Sequence, residues 1–363
     1  MGAKGRVVVA MSGGVDSSVA AALLKEEGWE VLGVTLRLWE DTAGGGEQSP
    51  ERGKFAKAIQ DARGVARSLA IPHYVVDRRE PFRETVVDYF AREYARGCTP
   101  NPCVLCNRKI KFAALLEKAR ELGADYIATG HYARVEFSPE RGRYLLKKGV
   151  SREKDQSYML YNLSQEQLAR CLFPLGGMTK TQVRRKAEML GLAVAGKKES
   201  QEICFIADGD YRSFLGRCGI RGRPGPILHV SGRRLGTHRG IPFYTVGQRR
   251  GLGITWPHPL YVLEIRPQEN LIVVGEREAL YRRGARVRRL NLISISALEG
   301  PERVKAKIRY RAPEVEALLK PAESGEGGEV CFAEPQPAVT PGQAAVFYQE
   351  DLVLGGGTIV QAF

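Results

Sequence analysis

Arg6 to Leu24 reads RVVVAMSGGVDSSVAAALL, and this stretch constrains the fold more than any other. Val7 to Ala10 is a run of β-branched and small apolar residues, which predicts a buried strand. Ser17 to Glu27, with an alanine-rich face, predicts a helix. Only a short glycine-rich turn fits between them. Gly13 and Gly14 permit backbone angles closed to other residues, so successive N–H groups can converge in front of the helix N-terminus and cradle an anion. Glycine turns also occur simply to pack a strand on a helix. Here Ser12, Asp16, Ser17 and Ser18 crowd the same turn, supplying hydroxyls for phosphate and a carboxylate for Mg²⁺. The spacing is neither GxGxxG nor GxxxxGK[ST].

From Arg6 to about Gly130 strand-like runs (VVVA, VLGVTL, HYVV, YIAT) alternate with helical ones (Ser17 to Glu27, Phe55 to Leu69, Phe82 to Arg96, Lys109 to Leu122). That alternation predicts an α/β fold whose parallel sheet is covered on both faces. Ligands then belong at the carboxyl ends of the strands, where Ser12, Leu36 and Gly130 fall. Thr42 to Ser49 reads as a flexible loop beside that edge, either a lid or a solvated excursion. Met178 to Leu192 reads as a further helix, capped by Thr179 and stopped at Gly191. Beyond Asp208 short extended runs punctuated by Gly and Pro predict a β-rich remainder, with a second boundary near the basic run Tyr281 to Arg289. The expected division is 1–208, 209–284 and 285–363.

Lys and Arg number 55 against 41 Asp and Glu, so the 363-residue chain carries a formal charge of +14. Such a balance attracts polyanions, nucleic acid first, although a basic coat can serve solubility alone. No stretch approaches a membrane span and no secretory leader precedes the first strand, so a cytoplasmic protein with reduced thiols is expected. Seven cysteines are not spaced as a disulfide framework.

Three of them crowd GCTPNPCVLCNRKIKF, Gly97 to Phe112. Thr99 and Asn101 each precede proline, which biases both towards extended angles and stiffens the approach to Cys103. Cys103 and Cys106 form a C-x-x-C pair at the start of a helix, where the dipole and Arg108, Lys109 and Lys111 are expected to favour thiolates, as nucleophiles or metal ligands. A redox disulfide or a zinc knuckle fits the same spacing. Cys204, in KKESQEICFIADGDY, reads by itself as a small core hydrophobe.

SGGVDSS resembles the pyrophosphate loop of enzymes that split ATP between its α and β phosphates. With CTPNPCVLCNRKIKF, ATGHYAR, KDQSYML, ESQEICFI, YTVGQRRGLGI, KIRYR and PGQAAVFY following in order, nearly the whole chain resembles the bacterial and organellar tRNA-specific 2-thiouridylases, which put sulfur on the wobble uridine of certain tRNAs. The resemblance implies a Rossmann-like parallel sheet of the ATP pyrophosphatase (PP-loop) type over 1–208, a small mixed α+β central tRNA-binding domain and a C-terminal β-barrel. It implies that Ala10, Met11, Ser12, Gly13, Gly14, Val15, Asp16, Ser17 and Gly130 hold ATP with Mg²⁺, and that Leu36 contacts adenine through its backbone where the family commonly has methionine. Asn101, Pro102 and Cys103 would meet the target base, and His131, Lys154, Asp155, Gln156, Arg309, Tyr310 and Gln343 would touch the tRNA. Cys106 would be the nucleophile and Cys204 the persulfide carrier, supplied by a sulfur-relay protein or a cysteine desulfurase.

At Cys103 many members carry aspartate, so this chain is a three-cysteine variant, and Cys103, Cys106 and Cys204 are jointly expected as catalytic thiols or as ligands of a [4Fe-4S] cluster with one open iron. Adenylation of the uridine oxygen would turn it into a leaving group, and sulfur would follow from the persulfide or from iron-bound hydrosulfide. Arg282, Arg283, Arg286, Arg288, Arg289 and Arg311 can grip phosphates, or form a solvated face. The rival readings are another PP-loop synthetase acting on a small molecule, and a non-catalytic tRNA-binding or Fe–S module.

Overall fold

The computed structural model describes residues 4–39, 50–197, 203–206, 209–322 and 326–363, with the side chains of 50–52 and 54 set aside. The loop expected at Thr42 to Ser49 and the acidic approach to Cys204 lie outside the described residues. Two compact units result. The first comprises Met1–Val86, Cys103–Gly209 and Asp351–Val353, and the second Val87–Pro102, Asp210–Glu350 and Leu354–Phe363.

In the first unit β1 (Arg6–Ala10), β2 (Glu30–Arg37), β3 (His73–Asp77), β4 (Tyr126–Ala128) and, after a hairpin of β5 (Ala133–Ser138) and β6 (Arg143–Lys148), β7 (Cys171–Leu172) supply a five-stranded parallel sheet of order β3-β2-β1-β4-β7. Val7, Val8 and Val9 are fully buried, because helices cover both faces of the central strand and leave no polar side to alternate with. Helix Val15–Glu26 lays Val19, Ala20 and Leu24 into a core shared with Ala62, Val65 and Ala66 of helix Pro50–Ser68 and with Val183 and Ala187 of helix Lys180–Met189. The last helix begins as the sequence predicts: Thr179 and Gln182 form a reciprocal capping box, and Gly191, at φ +61°, lies just past the end. Two helices differ from the prediction in being interrupted by a π turn, at Arg83–Val87 and at Asn107–Lys111, the second directly after Cys106. Single π turns concentrate at functional sites because they re-aim the residues that flank them.

In the second unit β8 (Gly225–His229), β9 (Arg234–His238), β10 (Tyr261–Arg266) and β11 (Leu271–Gly275) form a mixed sheet of order β10-β11-β8-β9 around Ile227, Val262, Ile272 and Val274. Six longer strands follow: β12 (Tyr281–Leu292), β13 (Glu302–Lys307), β14 (Val315–Pro321), β15 (Gly328–Pro337), β16 (Ala344–Gln349) and β17 (Leu352–Ala362). They run in the order β12-β15-β14-β13-β16-β17, and pairing of β17 with β12 closes an antiparallel barrel, which removes exposed strand edges. Helix Asp88–Ala95 belongs to this unit, with Tyr94 stacked on Tyr211 at 4.8 Å and Phe90 edge-on to Phe214 at 6.1 Å. The fold class is therefore as expected, an α/β sheet domain followed by a small central domain and a β-barrel. Val87–Pro102, which lies by sequence within the first expected segment, packs with the second unit.

Candidate functional site

The turn after β1 is built by its own hydroxyls. Ser17 Oγ donates to the Gly14 carbonyl at 3.2 Å and accepts from the Ser12 N–H at 3.1 Å, while the buried Ser18 Oγ donates to the same carbonyl at 2.8 Å. Ser18 thus shapes the loop rather than meeting a ligand. Gly13 takes φ +68°, and a Cβ there would stand 2.2 Å from the Ala58 carbonyl oxygen. A Cβ on Gly130 would come within 2.8 Å of the Ser17 nitrogen, so glycine is required for the end of β4 to pass under the helix start.

A cavity of about 780 Å³ opens at the carboxyl ends of β1, β2 and β4. Ala10, Met11, Ser12, Gly14, Val15, Asp16, Ser17, Leu36 and Gly130 all line it, and Gly13 instead turns its carbonyl to the Lys197 ammonium at 2.8 Å. That volume and the loop of N–H groups suit a nucleotide. Asp16, the one carboxylate among the described lining residues, accepts from Lys180 Nζ at 2.7 and 2.9 Å and from the Tyr132 hydroxyl at 2.8 Å. Its position fits a divalent ion arriving with phosphates, in competition with Lys180. Lys180, Tyr132 and Lys197 are functional candidates that sequence reasoning missed; Lys180 lies 164 positions from Asp16, in a helix whose sequence announces only its cap.

The same cavity is also lined by Cys204, Lys111, His131 and Gln156. Cys103, Cys106 and Cys204 lie close enough to act electrostatically on one another and on Lys111. The expected thiolates do not form. Burial outweighs the Lys111 charge, pushing Cys106 up to about 12, Cys204 up to about 11 and Cys103 upward as well. Cys204 keeps a solvent-accessible face, yet its thiol is ringed by protein atoms. The helix that begins at Pro102 turns into a π turn directly after Cys106, Arg108 is drawn off to Asn162 Oδ1 at 2.8 Å, and Lys109 is exposed. Phe205 anchors the Cys204 segment, packing against Trp39 at 6.1 Å and Phe82 at 5.7 Å.

Among the described residues no three His, Cys, Asp or Glu side chains are grouped so as to hold a metal ion. Cys103, Cys106 and Cys204 each act on the Lys111 ammonium and, among the described residues, are not grouped as the expected cluster requires.

Of the residues expected to touch RNA, His131 is enclosed, held by Thr129 Oγ1 at 2.7 Å and stacked on Phe112, and burial beside Lys111 pushes its imidazole down to about 3, so it is neutral at physiological pH. Gln156 lines the cavity and accepts from the Tyr132 N–H at 3.1 Å, and Lys154 is half-buried. Asp155 is turned inward, its carboxylate accepting from Gly149 N–H, Ser157 N–H and Ser157 Oγ, so it braces the turn. In the second unit Arg309 donates to the Pro337 carbonyl at 3.2 Å, Tyr310 lies beneath Lys307, and Gln343 donates to Thr99 O at 2.8 Å, next to Asn101 and Pro102 in sequence. No described helix is long and apolar enough to cross a membrane.

Residues 5–208 match the family profile described as tRNA methyl transferase HUP domain, 212–276 the tRNA methyl transferase PRC-barrel domain, and 282–359 the aminomethyltransferase beta-barrel domain. The tRNA-specific 2-thiouridylase MnmA of Moorella thermoacetica is 55% identical over 358 residues, covering 97% of this chain and 98% of its own length. The protein of the same name from Heliobacterium modesticaldum is 53% identical over 361 residues, covering 99% and 93%. MnmA 1 of Caldanaerobacter subterraneus subsp. tengcongensis is 54% identical over 355 residues, covering 98% and 97%.

Proposed function

The chain belongs to the tRNA-specific 2-thiouridylase family, and from that premise we propose that it replaces O2 of the wobble uridine by sulfur after transferring AMP from ATP to that oxygen. It is an ATP-using enzyme of tRNA 2-thiouridine synthesis. The observation that carries the reading is that one cavity joins the glycine loop to Cys204 and Lys111.

Oxide does not leave a pyrimidine carbonyl, so the oxygen must first be esterified. The N–H groups of Gly13 to Ser17 and the Lys180 ammonium bind the phosphates of ATP, and Asp16 would hold Mg²⁺, which would spread charge over them. Uridine O2 attacks the α-phosphorus, the bond to the β-phosphate oxygen breaks, and diphosphate departs. Asn101, Pro102 and Cys103 position the base, the neutral His131 and Gln156 bond its edges, and Lys154, Arg309 and Tyr310 with the barrel arginines hold the anticodon loop, whose unpaired bases can be splayed out, while Asp155 braces the turn that carries Lys154 and Gln156.

Sulfur then arrives on Cys204 as a persulfide, delivered by a desulfurase or relay protein. Its terminal sulfur attacks C2, the C2–O bond breaks and AMP leaves with the electron pair. Cys106 sulfur attacks Cys204 Sγ, the S–S bond to the base breaks, and 2-thiouridine is released with a Cys106–Cys204 disulfide, which two electrons from an external thiol reduce. The proximity of Cys106 and Cys204 supports this route, whereas the donor arrangement among the described residues gives no support to a cluster. Cys106→Ser with persulfidated Cys204 and ATP should halt after AMP release, leaving tRNA linked to Cys204 in a reducible adduct. Free thiolated tRNA at the native rate from that variant would refute the Cys106 step.

A further inference from the structure

Gln343 is assigned by resemblance to the RNA, yet its carboxamide already has partners in its own unit. Its Nε2 donates to Thr99 O at 2.8 Å and approaches Pro100 O at 3.5 Å. The Thr99 N–H donates in turn to Pro341 O at 2.9 Å, and Thr99 Oγ1 reaches Thr245 Oγ1 at 3.3 Å. Gly342, at φ +93°, lies flat against this segment: a Cβ there would meet Thr99 nitrogen and carbonyl atoms at 2.8 to 2.9 Å. On its far side the turn is fixed to the last barrel strand, since the Gly342 N–H donates to Ile359 O and the Ile359 N–H donates to Gln343 O, both at 2.8 Å. Upstream, Gly97 at φ +73° passes so near Ile265 that a Cβ would stand 2.7 Å from its Cγ2. Cys98 to Asn101 is thus a strap gripped on both sides, stiffened by Pro100 and Pro102, and it ends on Asn101.

We propose that Gln343 is a positioning residue: through Thr99 and Pro100 it sets where Asn101 and Pro102 meet the target base, and so governs turnover rather than tRNA affinity. This rests on the reading that Asn101 to Cys103 meet the base. A side chain serving as an RNA contact contributes binding energy, which appears in Kd; one that orients a reacting group appears in kcat at saturating tRNA.

Three variants separate the two roles. Gln343→Ala removes the donor, Gln343→Glu keeps the shape but presents a carboxylate to two carbonyls, and Gly342→Ala pushes the strap while leaving the carboxamide in place. Each should lower kcat at saturating tRNA and ATP by roughly 10- to 100-fold, with tRNA Kd within about twofold of the native value. In RNA-free protein the Thr99 amide should exchange with solvent faster, while the amides of Ala344–Gln349 stay protected. A weakened Kd with native kcat for Gln343→Ala, together with native behaviour of Gly342→Ala, would overturn the proposal in favour of a direct RNA contact. Loss of protection throughout Ala344–Gln349 would overturn it in favour of barrel stability. If the native chain made no 2-thiouridine, the functional reading would fail instead, and unchanged Thr99 exchange in Gln343→Ala would still reject the clamp.

Discussion

Lys180 spans both carboxylate oxygens of Asp16, 2.7 Å from Oδ1 and 2.9 Å from Oδ2, at the mouth of the glycine loop. Magnesium-bound polyphosphate offers each partner a stronger one, the metal for the carboxylate and phosphate oxygens for the ammonium, so the pair is poised to exchange. Lys180→Ala and Asp16→Ala should each lower tRNA-dependent diphosphate release about 10²- to 10³-fold. The double variant should lose much less than the product of the two, because both act on one bound phosphate group. Full additivity in that cycle would show that they act separately.

The thiols follow the opposite rule from exposed cysteines. Burial holds Cys106 at about 12 and Cys204 at about 11, so near pH 8 only roughly one Cys204 in a thousand is thiolate. Modification of both by a small neutral alkylating reagent should therefore rise about tenfold per pH unit from pH 7 to 10, read by peptide mass spectrometry. Lys111→Met, which removes the one cation among the described residues that lowers them, should slow it further. A plateau below pH 8.5 would mean that the charge prevails over desolvation.

By the resemblance read from the sequence Cys103 stands where an acid is common, and it lies beside the other two thiols with no metal-holding group among the described residues. Cys103→Asp should retain activity within roughly tenfold, since the residue is not needed in the thiol exchange between Cys204 and Cys106. Native protein purified anaerobically should thiolate tRNA with less than one iron per chain. Activity that scales with iron content and vanishes in Cys103→Asp would restore the cluster route.

What the sequence made legible is what local rules encode. The strand–turn–helix of the opening loop, the capping box at Thr179 and Gln182, and the switch to β-rich structure after Asp208 all depend on neighbours within a few residues. The ionisation of the thiols was misjudged because charge neighbours are visible in CNRKIKF whereas enclosure is not: nothing local tells that Cys106 is 4% exposed. Lys180 and Tyr132 escaped for a related reason, being brought to Asp16 by parallel-sheet crossovers 164 and 116 positions away. Asp155 illustrates the converse, a residue given a partner by resemblance whose carboxylate is used within its own turn.

The most direct test of the central claim follows diphosphate and sulfur together, using purified chain, ATP with Mg²⁺, a persulfide donor and unmodified substrate tRNA. One diphosphate and one AMP should appear for each 2-thiouridine formed, and diphosphate release should require a target uridine in the tRNA. Thiolation that proceeds without ATP cleavage, or cleavage that yields ADP and phosphate, would contradict an adenylated uridine.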